Sequence, residues 1–154
     1  MDAANYIKLK AANKPGRRAV VILTDNEGLA YQVPDQIVLN ALFAANTTLN
    51  AIVTPNAKPP AALKPGQQVN RDFIPHDVFK LARETGGEVL KAQNAGETFN
   101  DMLDRLRTRY SLHYRPPEAT PGAIHTIKVA LSPEAARRYP KAEVRARSGY
   151  LSQE

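Results

Sequence analysis

The chain has no cysteine and no tryptophan, and its aromatic content is only 6% over 154 residues. Without cysteine there is no disulfide framework, no thiolate metal site and no thiol nucleophile, although the compartment is left open by that absence. No segment approaches the roughly 18 consecutive apolar residues of a membrane span. The opening "MDAANYIKLKAANKPGRR" has no apolar stretch of signal-sequence length, so the chain reads as soluble. A Gly-x-Ser-x-Gly elbow and a Walker-type phosphate loop are both missing. The three histidines, at 76, 113 and 125, are too scattered for a local zinc motif, with His113 and His125 readable as cross-strand neighbours. No enzyme is expected from this inventory.

What is present fits one ordinary globular region: 43% hydrophobic and 23% charged residues, with a formal charge of +6. The basic balance bears on association rather than on fold. Ala4, Ile7 and Ala11 have helical spacing, and "NKPG" supplies stop signals, which predicts a short helix over residues 2 to about 12. Ala19 to Leu23 is an unbroken apolar run rich in β-branched residues, the pattern of a parallel strand buried on both faces. A helix follows from Pro34 and Asp35, with Asp35 as N-cap and Ile37, Val38, Ala41, Leu42 and Ala45 as its apolar stripe. "TLNAIV", ending at Val53, is a second buried strand.

From Thr54 to Pro75 five prolines interrupt the pattern, leaving a loop that is either a partner contact or a spacer. Val78, Leu81 and Ala82 then share a helix face, Gly86 offers the left-handed stop, and Glu88 to Lys91 begin a third strand. "ETFNDMLDRLRTR" carries Phe99, Met102, Leu103 and Leu106 at helical spacing, with Glu97 near its start and arginines at its end. Asp101 and Asp104 on its flank read as ion-pair partners of those arginines rather than as an acid/base pair. Beyond it the period changes to two. Tyr110 to Tyr114, Thr126 to Leu131 and Ala142 to Arg147 read as three antiparallel strands, with Tyr110 and Tyr114 in the core and "PPEATPG" and "SPEAARRYPK" as connections.

The blocks "GRRAVVILTD", "LARETGGEV", "FNDMLDRLRTRYSLHYRP" and "VRARSGY", in this order over roughly residues 16 to 150, resemble the C-terminal half of a von Willebrand factor type A (VWA) domain of the acidobacterial VWFA-related kind. The resemblance implies an α/β fold: a three-stranded parallel, Rossmann-like sheet with flanking helices over 1–109, and a C-terminal antiparallel unit over 110–154 packed on the same domain. It implies a non-enzymatic protein-binding module that engages its partner at the carboxyl ends of the strands, around Thr24, Asn26, Glu27 and Thr54. Asp25 stands where the family places a metal-site aspartate. The first metal segment, Asp-x-Ser-x-Ser, occurs nowhere in the chain, the threonine of the second would lie before Met1, and Asn26 replaces the usual glycine. One carboxylate, helped by Glu27 or Thr24, falls short of the six oxygens Mg²⁺ prefers, so a cation here would be held weakly. Hydrogen bonding of turn amides is the ordinary alternative role for Asp25.

In a truncated domain of this type one edge of Ala19 to Leu23 lacks its neighbour. That leads to a second expectation, a protein partner or self-association through this edge. The rival class is a basic module for nucleic acid or an acidic partner, built on Arg105, Arg107, Arg109, Arg115, Arg145 and Arg147, with Arg137, Arg138 and Lys141 nearby. Thin aromatic interleaving makes nucleic acid the weaker reading. Full-length relatives of this kind are expected to be secreted or periplasmic.

Overall fold

A computed structural model describes residues 2–11, 13–27, 29–30, 33–62, 64–66, 74–114 and 120–152. The elements in chain order are α1 (Asp2–Lys10), β1 (Arg18–Thr24), β2 (Leu29–Ala30), α2 (Asp35–Ala44), β3 (Thr47–Val53), β4 (Ile74–Pro75), α3 (Val78–Thr85), β5 (Val89–Lys91), α4 (Ala95–Arg107), β6 (Ile124–Thr126), α5 (Pro133–Arg138) and β7 (Gly149–Leu151). The fold is α/β. Its centre is a three-stranded parallel sheet in the order β1-β3-β5, flanked by helices, and a separate antiparallel unit closes the chain.

β1 and β3 pair along their whole length, from Arg18 opposite Thr47 to Thr24 opposite Val53. β5 joins the far side of β3 only over its last turn of pleat, Ala51 opposite Val89 to Val53 opposite Lys91. The middle strand therefore carries the core. Leu49, Ala51 and Val53 point one way, into a cluster with Ala4 of α1, Leu39, Leu42 and Phe43 of α2, and Val78 and Leu81 of α3. Val20 and Ile22 of β1 pack against the same cluster. Asn50 and Ile52 alternate to the other face, the one α4 crosses with its fully buried Met102.

Buried polar groups tie this sheet to α3. The Thr85 hydroxyl accepts the Leu49 N–H at 2.9 Å and donates to the Leu81 carbonyl at 2.8 Å. Asn50 Oδ1 accepts the Glu88 N–H at 3.1 Å, while Asn50 Nδ2 donates to the Val20 carbonyl at 3.4 Å. One buried amide thus holds both neighbours of β3, which satisfies it in a region where an unpaired polar group is costly. α3 stops at Gly86, whose φ of 76° is the left-handed C-cap.

Several expectations are corrected here. Ala19 to Leu23 is not buried on both faces: Ala19 is exposed and Leu23 is 64% exposed, with Val21 between them half-buried. Asp35 is not the N-cap of α2, a position held by Pro34 without a side-chain bond, and Ile37 of the expected stripe is exposed while Leu39 and Phe43 are buried. The tail is less regular than its alternation suggests. Tyr110 to Tyr114 form no strand and Tyr110 is 93% exposed, so these tyrosines are not core. The antiparallel unit reduces to β6 and β7, with His125 paired to Tyr150 and stacked on it rather than beside His113.

The Ile127 N–H still donates to the Ser148 carbonyl at 2.8 Å, but beyond that bond the ladder stops, and Lys128, Val129, Val144 and Ala146 line a shallow cleft with Arg83 and Glu84 of α3. The expected connection between them contains α5, with Ser132 accepting the Ala135 N–H and proline at the helix start. The unit is fastened to the rest by the Ser148 N–H, which donates to Glu84 O at 2.8 Å, and by Gly149 against the Phe43 ring. No helix among the described residues is long and apolar enough to cross a membrane.

Candidate functional site

Parallel pairing in register brings the carboxyl ends of β1 and β3 to one place, so Thr24 lies beside Val53 and the turns after both strands are neighbours. Ligand sites of open α/β sheets gather at such ends. Four of the residues singled out from the sequence, Thr24, Asn26, Glu27 and Thr54, are brought together here, with Asp25 among them. Gly28 lies outside the described residues.

The turn is organised by Asn26. Its φ of 61° is left-handed, a conformation that asparagine tolerates better than other residues with a Cβ. The Asn26 N–H donates to Thr24 Oγ1 at 3.0 Å, its Nδ2 donates to the Lys58 carbonyl at 2.9 Å, and its Oδ1 accepts the Val78 N–H at 3.1 Å. One side chain therefore locks the β1 turn to the loop after β3 and to the first residue of α3. The Pro-rich segment is anchored at its start, where Ala57 is buried and its N–H donates to Thr54 O at 3.1 Å. Its residues 67–73 lie outside the described residues.

Asp25 is exposed, and its Oδ1 accepts the Glu27 N–H at 3.0 Å, an Asx turn. Thr24 Oγ1 is already an acceptor for Asn26. Among the described residues no group of three or more His, Asp or Glu side chains is placed to hold a metal ion. The oxygens present do not make a Mg²⁺ cage. Nearby, the Asp35 carboxylate meets His76 Nδ1 at 2.9 Å and accepts the Asp77 N–H at 3.2 Å, while Asp77 caps α3 through the Lys80 N–H. These acidic groups fasten α2 to α3.

The second feature is β1 itself. Among the described residues it ladders with β3 alone, which leaves one edge of a seven-residue strand without a partner. On the face turned away from the core cluster Ala19, Val21 and Leu23 form an apolar row, Ala19 and Leu23 exposed and Val21 half-buried. Among the described residues the edge is open and the face partly exposed.

The arginines are largely engaged. Glu88, its side chain only 10% exposed, meets Arg105 at 3.2 Å, Arg109 at 3.1 Å and Arg145 at 2.7 Å. Arg105 also bonds Asp101 at 3.0 Å, a contact that holds its guanidinium above the usual range, and Arg107 bonds Asp104 at 3.1 Å. Arg147 donates to Asn46 Oδ1 at 2.6 Å, and burial lowers its pKa. Arg115 lies outside the described residues. A phosphate backbone would have to compete with these partners.

Sequence reasoning missed the organising role of Asn26 and the hub at Glu88. An asparagine two residues past a strand end is a signal for a left-handed turn. Glu88 gave no such signal, because its partners come from α4 and from the tail, up to 57 positions away by subtraction of 88 from 145. Comparison with family models, with curated proteins and with solved structures finds no match to the chain.

Proposed function

We propose that the chain is a non-enzymatic protein-interaction module, resembling part of a VWA domain, that receives an extended segment of a protein partner along the open edge of β1. Thr24, Asn26, Glu27 and Thr54 at the carboxyl ends of β1 and β3 contact the partner where it leaves that edge. A divalent cation adds little, because among the described residues no three carboxylate or imidazole side chains converge on this turn.

The observation that carries this reading is the marginal position of β1 together with the 64% exposure of Leu23. Unpaired N–H and C=O groups along an apolar edge are a template for strand addition, and natural edges are usually blunted by charge, proline or a bulge. β1 has none of these between Ala19 and Leu23. Each added backbone hydrogen bond contributes about 0.5–1.5 kcal/mol net.

The test is titration of the labelled protein with a synthetic peptide of residues 16–27, "GRRAVVILTDNE", followed by amide chemical shifts. Saturable binding with the largest shifts between Ala19 and Leu23 is expected. Absence of binding, or shifts confined to α4 and the tail, overturns the reading.

A further inference from the structure

The register of β1 makes the strand complementary to a second copy of itself. Pairing two copies of β1 antiparallel about a twofold axis at Val21 makes the residue numbers of each facing pair sum to 42, twice 21. Val20 then faces Ile22, Ala19 faces Leu23, Arg18 faces Thr24, and Arg17 faces Asp25. Every pair is compatible. The apolar residues meet apolar residues, and the basic end of one strand meets the acidic end of the other, twice by symmetry.

The faces match as well. Ala19, Val21 and Leu23 share one face, exposed at Ala19 and Leu23 and half-buried at Val21, so the twofold places the two rows side by side in one apolar strip. A register shifted by one residue would set the rows on opposite faces, and a shift of two would bring Arg17 opposite Leu23 or beyond the strand. Parallel pairing of two copies would instead stack Arg17 and Arg18 against their own copies. Charge therefore selects the antiparallel arrangement.

The geometry points to a second copy of this chain as the partner at β1, docked antiparallel about Val21 with reciprocal Arg17–Asp25 ion pairs. This rests on the reading of β1 as a docking edge and names its occupant. The dimer would carry a six-stranded sheet. A pair of short strands buries an area at or below the roughly 1,200 Å² that marks the low end of stable interfaces, so the dimer forms with rising concentration rather than being obligate. Arg17 in the single chain donates to the carbonyls of Arg107 and Arg109, contacts at the end of α4 that the exposed side chain exchanges for Asp25 on docking.

The experiment is solution mass by sedimentation equilibrium over a concentration series, on the wild type, on Arg17→Asp, on Asp25→Arg and on an equimolar mixture of the two variants. The expected result is a monomer–dimer equilibrium for the wild type and about tenfold weaker self-association for each single variant, since exposed ion pairs are turned into repulsions at two places. The mixture recovers wild-type association, because each variant then meets its complement. Circular dichroism of each variant guards against loss of fold. A wild type that stays monomeric overturns the inference, and so does association that the mixture fails to restore. If the monomeric protein still binds the peptide of residues 16–27, the docking edge stands and only the second copy is refuted.

Discussion

Asn26 Oδ1 accepts the backbone N–H of Val78 at 3.1 Å, joining the turn after β1 to the start of α3 across 52 positions of sequence. The bond satisfies one of the free donors at a helix N-terminus and, with the Lys58 contact, makes the carboxyl end of the sheet a fixed platform.

Replacing Asn26 with alanine removes two side-chain hydrogen bonds and forces a Cβ into the left-handed region without the local bonding asparagine offers. The expected cost is about 2 kcal/mol, of which about 1 kcal/mol is conformational. Asn26→Gly keeps the φ without strain and should be less damaging by that conformational share. Urea unfolding midpoints at unchanged slope measure both. Equal losses for alanine and glycine would contradict the assignment.

Legibility in the sequence followed locality. The β1, β3 and β5 strands and the α3 and α4 helices rest on short-range periodicity and caps, and Val78, Leu81 and Met102 are buried as their spacing predicts. Ion pairing of Asp101 and Asp104 with arginines one turn on is equally local. The exposure of Leu23 was not legible, because periodicity reports an apolar run and not which layers cover it. Tyr110, Leu112 and Tyr114 alternate as a strand would, but alternation supplies no ladder partner. The α5 start is written in "SPEAA", a capping serine followed by proline, but its place between alternating segments makes it look like a connection.

Glu88 should be the most sensitive charge in the protein. Glu88→Gln leaves the guanidiniums of Arg105, Arg109 and Arg145 without their shared carboxylate, and partial exposure of those arginines limits the loss to roughly 1–2 kcal/mol. The same variant should bind heparin more tightly than the wild type, because cations are released to a polyanion. The wild type should elute early, with a shallow dependence on salt. A steep dependence, equivalent to several phosphates neutralised, would favour the nucleic-acid reading instead.

Gly87 is required by close approach rather than by φ. A Cβ built there would lie 1.7 Å from the Leu49 carbonyl oxygen, at the point where the chain turns from α3 into β5. Gly87→Ala should destabilise by more than about 3 kcal/mol, through forced separation of β5 from β3. Cooperative thermal unfolding near the wild-type midpoint would contradict that packing.

Addition of Mg²⁺ should leave the thermal midpoint where it is. A ligand present at a hundred times its Kd stabilises by about 2.7 kcal/mol, a shift easily read by calorimetry. Asp25→Ala should lose only the Asx bond to Glu27, a few tenths to about 1 kcal/mol, with or without the ion. A Mg²⁺-dependent rise abolished in Asp25→Ala would restore a cation to this turn.

The openness of the β1 edge is the claim from which the docking reading follows, and amide hydrogen exchange of the dilute protein tests it most directly. Along Ala19 to Leu23, amides directed at β3 should be protected, and the alternating amides directed outward should exchange fast, becoming protected once the peptide of residues 16–27 is added. Slow exchange at every position of that stretch in dilute protein would mean that the edge is already covered, and would contradict the account.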